Sequence, residues 1–499
     1  MKREFSILFC ASEAAPFAKT GGLADVCGAL PMMLSRQGHD VRLVVPYYRS
    51  TRFSGVPMIR MDQSVQIAMA GKMLTCPVLR STMDGVTVYL IEQNAYFDRE
   101  QLYGVGAADY PDNLERFTCF SKAALALCRK LGWHPDIIHC HDWQTSLVAA
   151  YVDQVRLREP SLLSHASTVL TIHNIGYQGL FPKSQFPITD LGAEAFVPER
   201  AEFYGQANLL KTGIVYADGL TTVSPTYARE IQTPEFGCGL DGVLRDRRDR
   251  LVGILNGADY GIWSPEVDTF IPQRYSAADL AGKAVCKTKL QESSGLVKRS
   301  ETPLIGIVSR LADQKGFDLL AKVLDKLMQM ELQLIILGAG DKSYETMFGD
   351  VAHRFPGKLA VHVKFDNALA HLIEAGSDMF LMPSRYEPCG LNQLYSLKYG
   401  TVPVVRRTGG LADTVVDWTP ATAAAGTATG VMFEPYTPEA LVGALHRALE
   451  LYVNRPAWRR LMLNGMHQDF SWTRSAGEYA RLYAALHDRR SSVPGHSGT

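Results

Sequence analysis

Lys19-Thr20-Gly21-Gly22 is a short turn that places one mobile cation beside two glycines, directly before a helical pattern that begins near Ala24. Glycines let backbone amides approach a phosphate closely, and the first turn of a helix carries partial positive charge. A plain strand–helix turn with a solvated lysine would use the same residues, so the motif alone leaves both interpretations open. It matches neither the Walker spacing nor the Gly-x-Gly-x-x-Gly of dinucleotide-binding loops.

A second cationic motif, 309–316, follows the apolar run 303–308 and contains Arg310 and Lys315. Arginine binds phosphate through two parallel donors, and lysine acts as a point charge. Two cations at the carboxyl end of a predicted strand favour a diphosphate clamp. A solvated loop is the alternative.

A third motif, 383–391, contains Glu387 and follows the apolar run that ends at Met382. A carboxylate just before a predicted helix can accept a sugar hydroxyl, and the amides near Gly390 can point at a phosphate or sugar. Charges of both signs beside cysteine and glycine are unusual for a surface loop, so we favour a functional role.

Polar side chains end two further predicted strands, at His139-Cys140-His141-Asp142 and at His173-Asn174. A metal site is one interpretation. Adjacent strand residues point to opposite faces, however, and no fourth ligand is spaced to complete a tetrahedral site. We therefore expect Asp142 and His173 to be hydrogen-bond partners of a sugar.

Two sets of alternating strands and helices must position these motifs, one before and one after the turn-rich segment 256–265. Strands separated by helices predict parallel sheets covered on both faces. The predicted fold is therefore α/β, with two Rossmann-like doubly wound domains facing across a cleft, because ligands bind at the carboxyl ends of such strands. The repeat of Thr20-Gly-Gly-Leu-Ala-Asp as Thr408-Gly-Gly-Leu-Ala-Asp supports this symmetry.

Composition limits the function classes. The chain has 51 basic and 51 acidic residues, and this balance argues against nucleic acid or an anionic membrane as the main partner. Nine scattered cysteines without a Cys-x-x-Cys pair indicate reduced thiols. No apolar run reaches the length of a membrane span, so we expect a cytoplasmic protein.

Read together, the motifs resemble those of bacterial glycogen synthases and plant starch synthases, in order over about residues 5–485. The resemblance rests on Lys19-Thr-Gly-Gly-Leu, His141-Asp-Trp, Thr171-Ile-His-Asn, Tyr177-Gln-Gly-Leu-Phe, Asn256-Gly-Ala-Asp, Ser309-Arg-Leu-x-x-Gln-Lys-Gly, Glu387-Pro-Cys-Gly-Leu and Arg406-Arg-Thr-Gly-Gly-Leu. It implies a GT-B fold and transfer of glucose from ADP-glucose to the non-reducing end of an α-1,4-glucan such as glycogen, with retention of configuration. It implies no metal or other cofactor.

The resemblance also implies roles for individual residues. Lys19, Arg310 and Lys315 would bind the diphosphate, Glu387 would hold the glucosyl group, and His173 would meet the glucose 6-hydroxyl, with Asp142 nearby. The remaining expected substrate contacts are Glu13, Gly21, Gly22, Asp25, Asn256, Phe365, Cys389, Gly390, Leu391, Thr408, Gly409 and Gly410. The implied domains are 1–255 on the acceptor side, with a returning helix at 470–488, and 256–469 on the nucleotide-sugar side. Residues 489–499 are predicted to form a disordered tail.

Two departures from the family pattern leave the choice between ADP and UDP open. Lys364-Phe365 stands where relatives commonly have Gly-Tyr, and Asn392 replaces a common threonine. Three rival functions also remain: a glucan phosphorylase with pyridoxal phosphate, an NAD-dependent dehydrogenase, and a non-catalytic glucan-binding or regulatory protein. Retention of Lys19, Arg310, Lys315 and Glu387 argues against the last of these.

Overall fold

The computed structural model describes residues 4–106, 108–158 and 163–491. Contacts divide the chain into two compact units, which we treat separately. Unit 1 is Met1–Val223, Ala228–Ile254 and Trp472–Thr499, and unit 2 is Ser224–Tyr227 and Leu255–Ser471. The sequence-based domain boundary lay one residue later, after 255.

The secondary structure alternates along the described chain. The strands are β1 (Ser6–Cys10), β2 (Asp40–Pro46), β3 (Ile59–Arg60), β4 (Val65–Met69), β5 (Lys72–Cys76), β6 (Val78–Met83), β7 (Val86–Ile91), β8 (Gly104–Val105), β9 (Ala108–Asp109), β10 (Ile137–His141), β11 (Ser167–Ile172), β12 (Leu180–Pro182), β13 (Glu202–Phe203), β14 (Gln206–Asn208), β15 (Gly219–Thr222), β16 (Leu251–Gly253), β17 (Leu304–Val308), β18 (Gln333–Leu337), β19 (Leu359–His362), β20 (Met379–Met382), β21 (Val402–Arg406) and β22 (Val431–Phe433).

The helices lie between these strands and after the last of them. They are α1 (Gly22–Arg36), α2 (Asn94–Phe97), α3 (Asn113–Leu131), α4 (Asp142–Arg158), α5 (Leu209–Tyr216), α6 (Pro225–Glu230), α7 (Asp241–Asp246), α8 (Ala281–Ser293), α9 (Phe317–Leu327), α10 (Lys342–Arg354), α11 (Asn367–Gly376), α12 (Asn392–Lys398), α13 (Gly409–Thr414), α14 (Pro420–Ala424), α15 (Pro438–Val453), α16 (Arg455–Met466) and α17 (Trp472–Ser491). Because α17 extends to Ser491, the predicted tail is helical over 489–491. Its remainder, 492–499, lies outside the described residues.

The main sheet of unit 1 has the order β16-β15-β11-β10-β1-β2-β7-β6-β3 in the described residues. From β16 to β7 the pairing is parallel, as the buried apolar runs predict. The prediction of a purely parallel sheet is wrong at one edge, where β6 and β3 pair antiparallel. The two residues Asp84-Gly85 between β6 and β7 have positive φ, which makes a tight hairpin possible there.

Helix α17 completes the core of unit 1. Its buried residues Trp472, Ala476, Tyr479, Tyr483 and Leu486 recur every three or four positions and therefore share one face. That face packs into the same apolar cluster as strand β1. The C-terminal segment thus belongs physically to the N-terminal unit.

Unit 2 has a sheet of order β19-β18-β17-β20-β21-β22, and the pairings between these strands are parallel. Strand β18 is buried throughout, and α9 covers the sheet with an apolar face. Several helices begin at side-chain caps: Asp341 caps α10, Asp366 caps α11 and Thr437 caps α15. Such caps satisfy amides that have no partner within the helix.

A buried aspartate joins three segments of unit 2. Asp268 Oδ2 accepts hydrogen bonds from His371 Nδ1 at 2.8 Å and from the Tyr399 hydroxyl at 2.5 Å, and Oδ1 accepts from the Phe270 amide. Trp263 stacks on His371 with ring centroids 3.7 Å apart. Burial alone would raise the pKa of Asp268, but these hydrogen bonds outweigh it and lower the pKa.

Asp268→Asn should destabilise unit 2 by roughly 1.5–3 kcal/mol at pH 7, because its single amide oxygen cannot accept from His371 and Tyr399 and also from the Phe270 amide. A depressed carboxyl pKa contributes stability above its unfolded value of about 4, and that stability is lost as pH falls through the folded pKa. The difference in unfolding free energy between wild type and variant should therefore shrink below about pH 4. Urea unfolding at several pH values measures it.

The matched control is Asp325→Asn, because Asp325 forms a surface ion pair with Arg354. Its loss should cost at most about 1 kcal/mol. Equal effects of the two substitutions at pH 7 would contradict a structural role for Asp268.

Within the described residues, no helix combines the length and the apolar character that crossing a bilayer requires. None of the nine cysteines is in a disulfide.

Candidate active site

In unit 1, the Lys19-Thr20-Gly21-Gly22 turn is anchored by a buried carboxylate. Glu13, 4% exposed, accepts hydrogen bonds from the Thr20 amide at 2.5 Å, the Thr20 hydroxyl at 2.9 Å and the Tyr103 hydroxyl at 3.0 Å. Burial raises the pKa of Glu13, although these hydrogen bonds oppose the rise. Sequence analysis expected Glu13 to bind substrate. In the structure its carboxylate holds the loop, and the expected substrate contact stays a prediction.

Lys19 and the first glycine of the turn remain accessible. Lys19 Nζ lies 2.6 Å from Asp25 Oδ1, and the two side chains are 47% and 30% exposed. Burial raises the pKa of Asp25, with Lys19 opposing the rise. A methyl group built on Gly21 would have no other atom within 4 Å, so the space beside this glycine is open to a ligand.

Asp142 and His173 lie together because β10 and β11 are parallel neighbours and each strand ends one residue before one of them. Asp142 Oδ1 accepts the His173 amide at 2.7 Å, and Asp142 has a φ of 55°, which is uncommon for a residue with a side chain. Burial raises the pKa of Asp142 to about 7. The carboxylate thus fixes the start of the segment after β11, at a site where backbone strain is retained.

A groove of about 450 Å³ begins beside these residues. Trp143 forms its inner wall and packs directly over Gly179, where a Cβ would lie 2.5 Å from the indole ring. Tyr177 and Leu180 are about half exposed at its rim. The lining residues are Asp109, Tyr110, Pro111, Trp143, Gly176, Tyr177, Gln178, Gly179, Leu180, Phe181, Pro182 and Gln185. Aromatic faces interspersed with carboxylate and amide groups suit an oligosaccharide.

Glu13→Ala should release the Thr20 amide, because its acceptor is the Glu13 carboxylate. Hydrogen bonds to charged groups contribute about 1.5–3 kcal/mol, so exchange of the Thr20 amide should quicken by roughly tenfold or more. Hydrogen–deuterium exchange over residues 14–23 measures this. Tyr103→Phe is the control: it removes one donor to Glu13 and should leave the Thr20 amide protected. Unchanged exchange in Glu13→Ala would show that the carboxylate does not hold the loop.

In unit 2, Lys315 and Glu387 form a close ion pair. Lys315 Nζ lies 2.8 and 2.7 Å from the two Glu387 oxygens, and the Ser384 hydroxyl donates to Oε2 at 3.0 Å. The Glu387 side chain is 6% exposed and that of Lys315 is 22% exposed. Gly316, with φ of 81°, brings the two motifs together, because a Cβ there would lie 2.1 Å from the Pro383 carbonyl.

The repeated Thr-Gly-Gly motif packs tightly against the Glu387 loop. A Cβ on Gly409 would lie 1.9 Å from the Glu387 carbonyl oxygen, and one on Gly410 would lie 2.1 Å from that of Cys389. The Gly410 amide donates to the Glu387 carbonyl at 3.1 Å. Thr408 and both glycines are buried. The Gly410 amide is thus bonded within the protein, and the expectation that Thr408, Gly409 and Gly410 line the donor phosphates stays a prediction.

The other expected residues of unit 2 differ in accessibility. Arg310 is exposed, and Asn256 is buried with its Oδ1 unpartnered among the described residues. Phe365 is 87% exposed and lies between Lys364 and Asp366, which form an ion pair at 2.8 Å. Burial raises the pKa of Cys389 to about 12, so its thiol stays protonated.

Sequence reasoning missed Tyr103 and Ser384. Tyr103 lies 90 residues from the carboxylate that it contacts. Ser384 lies three residues before Glu387 in the sequence, and this short spacing is the signal that could have predicted their hydrogen bond. Among the described residues, no group of three or more histidine, cysteine or acidic side chains is arranged to hold a metal ion.

Comparison with known proteins finds matches in both halves of the chain. Residues 6–246 match the family model for the starch synthase catalytic domain, and residues 289–460 match that for glycosyl transferases group 1. A glycogen synthase of Koribacter versatilis is 48% identical over 98% of this chain and 99% of its own. The chain belongs to the glycogen and starch synthase family. It is therefore a glycosyltransferase with the GT-B fold.

Other members of the glycogen and starch synthase family are similar over the same length. A glycogen synthase of Syntrophotalea carbinolica is 47% identical over 96% of this chain and 98% of its own. The catalytic domain of starch synthase IV from Arabidopsis thaliana, solved with ADP and acarbose, has a TM-score of 0.91. It is 34% identical, over 98% of this chain and 100% of that one.

Proposed function

We propose that the chain transfers glucose from ADP-glucose to the non-reducing 4-hydroxyl of an α-1,4-glucan such as glycogen, with retention of configuration. The observation that carries this proposal is the Lys315–Glu387 pair at the carboxyl end of the unit 2 sheet, a cation and a carboxylate on adjoining loops. The names of the similar relatives and the ADP and acarbose in the Arabidopsis structure support it.

Departure of ADP requires stabilisation of the negative charge that develops on the diphosphate. Lys315 and Arg310 follow one strand of unit 2, and Lys19 adds a third cation from unit 1. Cations held ready for a developing charge are an effective form of catalysis. We propose that these three residues bind the diphosphate, so that the reaction needs neither a metal ion nor an organic cofactor.

The glucosyl group would contact Glu387, the segment Cys389–Leu391, Asn256 and, from unit 1, His173. We propose that none of the described carboxylates and thiols assigned to these contacts forms a covalent glucosyl intermediate. Asp142 is engaged by the His173 amide, Glu387 by Lys315, and the Cys389 thiol is protonated. We therefore favour front-face transfer: the C1–O bond to ADP breaks, the acceptor O4 bonds C1 from the same face, and the hydroxyl proton passes to the departing diphosphate.

The groove beside Trp143 would hold the glucan acceptor. It is continuous with Asp142 and with the segment after His173, and its aromatic side chains offer flat apolar faces to sugar rings. We place the reaction in the cytoplasm, since the cysteines are unpaired.

The purified chain should release ADP from ADP-glucose only when glycogen is present, and the rate should be unchanged by EDTA. UDP-glucose should be the poorer donor. A faster reaction with UDP-glucose would overturn the nucleotide assignment, and no nucleotide release from either donor would overturn the proposed function.

Lys19→Met should lower kcat by about 10²–10³ because it removes one cation from the leaving group.

Lys342→Met is the matched control for Lys19→Met. Each lysine forms an ion pair with a carboxylate on the same short segment, Lys342 with Glu345, and Lys342 is 87% exposed. Normal kinetics are expected for this control. Equal kinetics of the Lys19 and Lys342 variants would exclude Lys19 from the reaction.

Tyr177→Ala should raise KM for glycogen by roughly threefold to tenfold, in line with about 0.5–1.5 kcal/mol for an aromatic contact. KM for ADP-glucose should stay within about twofold, because Tyr177 lies on the acceptor groove. Initial rates with each substrate varied in turn separate the two effects. Tyr204→Ala removes a tyrosine that is 84% exposed and outside the groove, and it should change neither constant. An increase confined to KM for ADP-glucose would contradict the assignment of the groove.

A further inference from the structure

His141, the last residue of β10, is fixed in a buried stack of rings in unit 1. Its imidazole lies parallel to the Phe9 ring, with centroids 5.5 Å apart and planes at 18°, and its centroid is 4.3 Å from that of His139. The side chain is fully buried. The ring therefore cannot turn without displacing its neighbours.

One hydrogen bond joins His141 to the residue that we assign to the donor sugar. His141 Nδ1 and His173 Nε2 are 3.0 Å apart. Burial lowers the pKa of His173 to about 3 and holds that of His141 well below its usual range. Both imidazoles are thus neutral at physiological pH, and each carries one ring proton. One of the two facing nitrogens donates and the other accepts.

The second nitrogen of His141 decides the direction of this bond. His141 Nε2 is buried and has no hydrogen-bond partner among the described residues. A proton on Nε2 would be a buried donor without an acceptor, which native structures avoid more strictly than an unused acceptor. The His141 proton therefore resides on Nδ1, and Nδ1 donates to His173 Nε2. His173 must then carry its own proton on Nδ1.

We propose that His141 is a positioning residue that locks His173 in the Nδ1–H tautomer, so that His173 donates a hydrogen bond to the 6-hydroxyl oxygen of the donor glucose. This inference rests on the proposed function for the identity of the sugar. The tautomer itself is a property of the protein without substrate, and it can be tested independently.

The direct test is ¹⁵N nuclear magnetic resonance of histidine-labelled protein without substrate, with the His173 signals assigned by their absence in His173→Gln. The expected spectrum shows a protonated-type Nδ1 and an unprotonated-type Nε2 for His173. In His141→Leu the preference should weaken or reverse. In His141→Asn, whose amide nitrogen can occupy the place of Nδ1, it should be retained. A protonated Nε2 in the wild type, or an unchanged tautomer in His141→Leu, would overturn the inference.

The kinetic test compares ADP-glucose with its 6-deoxy analogue. His141→Leu should lower kcat/KM for ADP-glucose roughly tenfold, as loss of one hydrogen bond predicts. It should have little effect with the 6-deoxy donor, and His141→Asn should restore most of the loss. If the role of His141 were merely structural, His141→Leu would lower kcat/KM equally for both donors, and this result would refute the positioning role.

His39→Leu is the control for loss of a buried histidine. His39 accepts the Phe5 amide through Nδ1 and, like His141, is buried. The His39→Leu substitution should leave the ratio of kcat/KM for the two donors unchanged. Absence of transfer from ADP-glucose by the wild type would refute the proposed function, and the spectrum without substrate would still decide the tautomer.

Discussion

In each unit, parallel strand pairing is the constraint on which the position of the candidate site residues depends. In unit 1, β1, β10 and β11 are adjacent and parallel, so the residues that follow them emerge at one edge of the sheet. That edge brings together Glu13, Asp142 and His173, which are far apart in the sequence. In unit 2, the neighbours β17, β20 and β21 do the same for the Lys315, Glu387 and Thr408 loops. A register shift of one residue in either trio would reverse the faces of the side chains.

Two of the three cations assigned to the diphosphate are balanced by the protein's own carboxylates. Lys19 is paired with Asp25 at the surface, and Lys315 with Glu387 in a buried setting. These two environments differ in physical consequence. The exposed pair is screened by solvent and can open at little cost, whereas removal of Lys315 would leave a buried charge unpaired. The surface pair is therefore the more adaptable of the two, and the buried pair the more rigid.

The sequence was most informative for features that depend on residues close together in the chain. Buried apolar runs predicted the parallel strands, and the turn residues marked the ends at which Asp142, Arg310 and Glu387 lie. The antiparallel edge β6–β3 was missed, because short strands beside turns lack a long apolar run. Contacts between distant residues were missed for another reason: nothing near Tyr103 indicates that it bonds Glu13. The close packing of Gly410 was not predicted, because glycine serves close packing as readily as ligand binding.

Helix α17 has a consequence for the order in which the chain can be built. Strand β1 leaves the ribosome before the other strands. The helix that completes the apolar core around it is α17, the last helix of the described chain. The residues of unit 2 lie almost wholly between these two segments. Unit 2 can therefore be synthesised and can fold while the core of unit 1 still lacks α17. Phe5, Ile7 and their neighbours in the N-terminal sheet therefore stay incompletely covered until the α17 segment has been synthesised. Premature termination before Trp472 would leave that surface exposed to aggregation.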